Sequence, residues 1–108
     1  MSEIMTRNFC PRCAIKHLGK AKILLDEARL GYPEHVWYAI ANMSEAEDEI
    51  VDMMPDEASA IRDERKKVEE GLTKGEPHIP DFTALMYQVA DGAMLEEYQE
   101  SKPETGDK

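Results

Sequence analysis

Three side chains near the start of this 108-residue chain have the types and spacing to do chemistry together: Cys10, Cys13 and His17, within Cys10-Pro-Arg-Cys13-Ala-Ile-Lys-His17. Two thiols at C-x2-C spacing chelate a metal from one turn, or close and open as a disulfide. Cys13 and His17 stand four residues apart, which on a helix places them on one face. A helix N-terminus supplies positive potential there, and that potential favours the thiolate both chemistries need. Two cysteines in such proximity, in a reducing compartment, argue for metal or redox chemistry over a structural crosslink.

The helices that must carry these groups are legible from apolar periodicity. Helix 1 is expected from Cys13 to Leu30, with Leu18, Ala21, Leu24, Leu25 and Ala28 on the same face as His17. Gly31 then Pro33 stop it and start helix 2, which is expected to run to about Met54 with a stripe of Val36, Ile40, Met43, Ile50, Val51 and Met54. A third helix, Asp56 to Glu70, has a narrow stripe interrupted by Arg65, which predicts a peripheral position, with Gly71 and Gly75 ending it. Asp81 is a good N-cap for helix 4, whose inward face is Phe82, Leu85, Met86, Val89 and Ala93, and Asp91-Gly92 is a candidate break. No alternation long enough for a strand survives. The expected fold is all-α: a long antiparallel helical hairpin with two further helices. A single helical domain spans 1–98, and a disordered acidic tail covers 99–108.

Hairpin arithmetic proposes a fourth group for the site. With the turn near residue 32, residue i of helix 1 lies level with about residue 64 − i of helix 2, which puts Glu47 opposite His17. Glu47 also sits in the middle of the apolar stripe of helix 2, and a carboxylate there needs a metal, a protonated partner or water. The main expectation is a zinc ion held by Cys10, Cys13, His17 and Glu47 in a tetrahedral site, with a water in place of Glu47 as the variant. Two other expectations stand beside it: a His–Glu hydrogen-bonded pair, and a redox dithiol with Cys10 as nucleophile, Cys13 as resolving thiol and His17 assisting.

The C-P-x-C run resembles the glutaredoxin motif, in which the first cysteine is the nucleophile. C-x2-C-x3-H is similar to the motif of the all-helical alkylhydroperoxidase D family. That resemblance implies a cysteine pair (Cys10, Cys13) that reduces peroxide, with His17 as proton relay. The longer runs CPRCAIKHLGKA and YPEHVWYAIANMSEAEDE resemble small bacteriophage-encoded proteins, which implies a host-cytoplasm setting.

Charge limits the partners. Residues 1–33 carry six bases and three acids, +3, so the remainder of a chain of net charge −10 carries −13. Between Ser44 and Glu57 there are seven acids and no base. Such a field repels polyanions, so nucleic acid is not the expected ligand. The same run suits an acidic mimic or inhibitor that occupies a basic groove on a host protein. Leu, Ile, Val and Phe make only 20 of 108 residues, and Ala and Met must fill out the core. No apolar run reaches membrane length, and Met1 to Asn8 has no apolar signal core, so a cytoplasmic location is expected. Ile15, Ile23 and Leu30 form a second apolar edge on helix 1, and Trp37 and Tyr38 leave the main stripe of helix 2. At least one of Trp37 and Tyr38 is expected to pack on a neighbouring helix or on a partner. The five residues together are the candidate surface for a protein partner or for a homodimer in place of a monomer.

Overall fold

A computed structural model describes residues 9–101, with side chains as far as residue 94. Four helices follow one another: α1 (Pro11–Arg29), α2 (His35–Ile50), α3 (Pro55–Lys74) and α4 (Phe82–Ser101). Among the described residues there is no strand, as the periodicity predicts. Each helix packs on two neighbours, α1 on α2 and α4, α3 on α2 and α4, with the α1–α2 seam the most extensive and the α3–α4 seam the slightest. Short connections make successive helices antiparallel. Among the described residues no helix is long and apolar enough to cross a membrane.

The α1–α2 seam explains how a chain poor in large aliphatics still closes a core. Buried positions on α1 are Ala14, Leu18, Ala21 and Leu25, and on α2 they include Val36, Ala39, Met43, Ala46 and Ile50. Each set keeps a three-then-four spacing along one stripe, and alanine recurs every seventh residue on both helices. Methyl side chains let the two backbones approach closely, and Leu18 and Met43, both fully buried, fill what remains. Ile61, Phe82, Leu85 and Val89 complete the interior from α3 and α4.

The helix boundaries differ from expectation at several points, each with a local cause. α1 starts two residues early, at Pro11, because proline is pre-set for the first helical position and Cys10 acts as N-cap, its Sγ accepting the Cys13 backbone N–H at 3.2 Å. α2 ends at Ile50 rather than Met54; one further bond, from Met54 N–H to the Ile50 carbonyl, closes a turn before Pro55 opens α3. α3 runs through Gly71 to Lys74 and stops at Gly75, which is left-handed (φ 74°) and donates to the Gly71 carbonyl. Gly71 serves another purpose: a Cβ there would collide with the Glu76 carbonyl oxygen and lie 3.2 Å from the His78 nitrogen, so its absence lets the α3–α4 loop fold back onto the helix.

Asp81 caps α4 as expected, accepting from the Ala84 N–H at 3.1 Å. Asp91-Gly92 does not break that helix, because Gly92 instead leaves room for Met54 Cε and the Glu57 carboxylate of α3. The tail expected from residue 99 begins as the last turn of α4, and residues 102–108 lie outside the described residues.

Candidate functional site

Cys10 and Cys13 sit half-buried at the N-terminus of α1 and are joined as a disulfide, their Cα atoms 5.2 Å apart. The first turn of α1 contains no acid, and Arg12 stands exposed between the two cysteines. Dipole and side chain therefore act in the same direction, favouring negative charge on sulfur when the bond is open.

One residue of α2 holds both ends of the motif. The Glu49 backbone carbonyl accepts the Cys10 N–H at 2.8 Å, and the Glu49 carboxylate oxygen Oε1 lies 2.9 Å from His17 Nδ1. Both partners of the side-chain contact are largely buried, with 25% and 17% of their side-chain surfaces exposed. The last turn of α2 thus fixes where Cys10 enters α1 and how the His17 ring is turned. With Nδ1 engaged by the carboxylate, Nε2 is the ring nitrogen left for other work.

Glu47 is not part of this cluster. It is buried, as the stripe predicts, but on the α3 side of α2, where Arg62 Nε donates to Oε2 at 2.9 Å and Arg65 Nη1 donates to Oε1 at 2.8 Å. Arg65 Nη1 also donates to Ser44 Oγ at 3.0 Å. The expected His17–Glu47 pairing is therefore corrected to His17–Glu49. Hairpin arithmetic fixes height along the helix axis, and two residues differ in height by only about 3 Å, yet they point about 160° apart around the axis. Height was right to within two residues; direction around the helix decides the partner. Arg65, expected to push α3 outward, points inward as the counter-charge of Glu47. The signal for this pairing lies in the sequence: a Glu inside one apolar stripe and an Arg inside the next are complementary errors. Among the described residues no group of three or more Cys, His, Asp or Glu side chains is arranged to hold a metal ion.

The remaining histidines repeat the His17 arrangement. His35 Nδ1 lies 2.8 Å from Glu27 Oε1, again joining α2 to α1, and its ring stacks on Tyr32 and meets Tyr38 edge-on. His78 Nε2 lies 2.6 Å from Glu64 Oε1 and ties the α3–α4 loop to α3. Burial alone raises the Glu64 carboxyl. Hydrogen bonds and positive charge from His78 and Lys67 outweigh it and hold the group below its ordinary value.

The expected interaction surface is real as exposure but lies apart from the cysteines. Ile15 is half-buried against the core, while Ile23, Leu30, Trp37 and Tyr38 are all more than half exposed. Trp37 and Tyr38 both stay more than half exposed, so neither is buried on a neighbouring helix, and packing on a partner is the expected alternative that remains. The seams with α1 and α3 use the Ala39, Met43 and Ile40 faces, which these two aromatics flank. Leu30, Trp37 and Tyr38 gather at the hairpin turn, about 30 Å of helix rise from Cys10. Of the seven acids in the Ser44–Glu57 run, Glu47 and Glu49 are spent inside the fold. No protein-family model, no curated protein and no solved structure matches the chain.

Proposed function

We propose that the protein is a small thiol–disulfide redox module, with Cys10 and Cys13 as its exchanging pair. The observation that carries the reading is their bonded pairing across the first turn of α1, with the Cys10 sulfur also accepting the Cys13 amide. In the reduced protein that amide and the helix N-terminus stabilise a Cys10 thiolate. The thiolate attacks one sulfur of a substrate disulfide and expels the other as a thiolate. Cys13 then attacks the Cys10 sulfur, closing the internal disulfide and releasing the second substrate thiol. Two electrons pass from the pair to the substrate, and the proton lost by Cys13 passes to the departing thiolate. His17, one turn along from Cys13 and held through Nδ1 by Glu49, is the group suited to carry that proton. The acidic surface favours a substrate or partner that is not a polyanion.

The test is equilibration of the purified protein in glutathione redox buffers with a chelator present, followed by alkylation and intact-mass counting of thiols. The expected result is a reversible transition in which both thiols are gained or lost together, and a trapped glutathione adduct on Cys10 in the Cys13→Ser variant. The competing zinc reading, with Cys10, Cys13 and His17 as ligands, predicts equimolar metal by elemental analysis, thiols protected from alkylation by the metal, and a melting temperature that falls on chelation. That outcome, or thiols that never pair in oxidising buffer, overturns the redox reading.

A further inference from the structure

At the end of the bundle away from the cysteines, the last turns of α1, the start of α2, the end of α3 and the folded-back α3–α4 loop enclose a half-open cavity of about 260 Å³. Its walls are Leu25, Val36, Val68 and Ile79, and its polar groups are Arg29 and His78. No acidic side chain lines it. That is the informative fact in a chain with 23 acids and a net charge of −10. Two further clefts among the described residues contrast with it: one between α3 and α4 carries Asp63, Glu64 and Asp81, and one beside Gly92 carries Asp56, Glu57 and Asp91.

His78 is already tied to Glu64 through Nε2, whereas Arg29 is exposed and makes no ion pair with any described residue. Arg29 also complements the C-terminal end of the α1 dipole, a role that leaves its guanidinium free to bind. The loop wall depends on two glycines, Gly71, whose missing side chain admits the loop, and Gly75, whose left-handed backbone starts it. An apolar hollow with one unpaired cation at its rim selects a ligand of matching build.

We propose that this cavity binds a small amphipathic anion, an aliphatic or aromatic monocarboxylate whose apolar body lies against Leu25, Val36, Val68 and Ile79 while its carboxylate meets Arg29. The inference is independent of the cysteine chemistry. It is tested by titrating the ¹⁵N-labelled full-length protein with octanoate and, separately, with 1-octanol. Saturable shifts at the cavity residues are expected, with octanoate binding about three-fold tighter than the alcohol, as fits one exposed charge pair. Arg29→Gln, a surface change, should remove that preference and leave alcohol binding intact. Ala28→Leu, which adds volume to the cavity wall, should weaken both ligands. Absence of saturation, shifts confined to residues away from the cavity, or equal affinity for octanoate and 1-octanol in the unsubstituted protein overturns the proposal.

Discussion

Replacing Glu47 by Gln tests how a charge inside a small helical bundle is held. The carboxylate keeps 11% of its side-chain surface exposed and receives two charge-assisted hydrogen bonds, from Arg65, whose side chain is 19% exposed, and Arg62, 40% exposed. Gln preserves the volume but leaves one acceptor oxygen for two guanidinium groups and removes the attraction. At an effective dielectric of about 20, a charge pair near 4 Å is worth about 4 kcal/mol before desolvation is subtracted. Hydrogen bonds to charged groups contribute about 1.5–3 kcal/mol each, and Arg62 recovers solvation by swinging outward. The expected loss is about 2–3 kcal/mol, a large share of the roughly 5–15 kcal/mol typical of a domain, with a fall in Tm of about 10–20 °C.

Urea denaturation of Glu47→Gln, Arg65→Met, Arg62→Met and the two double variants measures it. The coupling of Glu47 to Arg65 should exceed that to Arg62, because Arg65 has less water to fall back on. A loss below about 0.5 kcal/mol, or equal coupling to both arginines, would refute this account. The paired replacement Glu47→Leu with Arg65→Leu should cost far less than either single change, since no charge is then stranded.

Three further predictions concern local packing and pH. The depressed Glu64 carboxyl contributes stability above its ordinary value of about 4.5, and that contribution is lost as pH falls through its lower folded value; Glu64→Gln should therefore narrow the stability gap to wild type between pH 6 and pH 3, read by urea midpoints. Gly71→Ala should destabilise by about 1–3 kcal/mol because a backbone carbonyl must move, whereas Gly19→Ala, with nothing within 4 Å of the new Cβ, should stabilise by about 0.5–1 kcal/mol. Ala46→Leu, at a fully buried seam position, should cost about 1–3 kcal/mol or more, and an unchanged denaturation midpoint would show that α1 and α2 are not closely apposed.

The four helices were legible because their apolar periodicity is strong and their punctuation is chemical: Pro33, Pro55, Gly75 and Asp81 stand at or beside the boundaries they signal. Glu47 was legible as an inward carboxylate for the same reason. Its partners were not, because periodicity within one helix gives a direction relative to that helix alone, and which neighbour occupies the direction is a property of the assembled bundle. Glu49 was hidden by the same gap: it lies outside the apolar stripe of helix 2, about 160° around the axis from Glu47, on a flank that α1 covers only in the assembled bundle. The cavity at the hairpin turn draws on four elements and could not be read from any one of them.

The clamp made by Glu49 has a kinetic consequence. Both hydrogen bonds that Glu49 makes to the cysteine motif, to the Cys10 amide and to the His17 ring, lie within the α1–α2 hairpin. Helical hairpins closed by short turns form from local contacts and early, while α4 waits for loop closure across the longest connection. During synthesis, with the N-terminal half emerging first, the pair of thiols is therefore set in place beside its glutamate before the arginines that neutralise Glu47 have arrived.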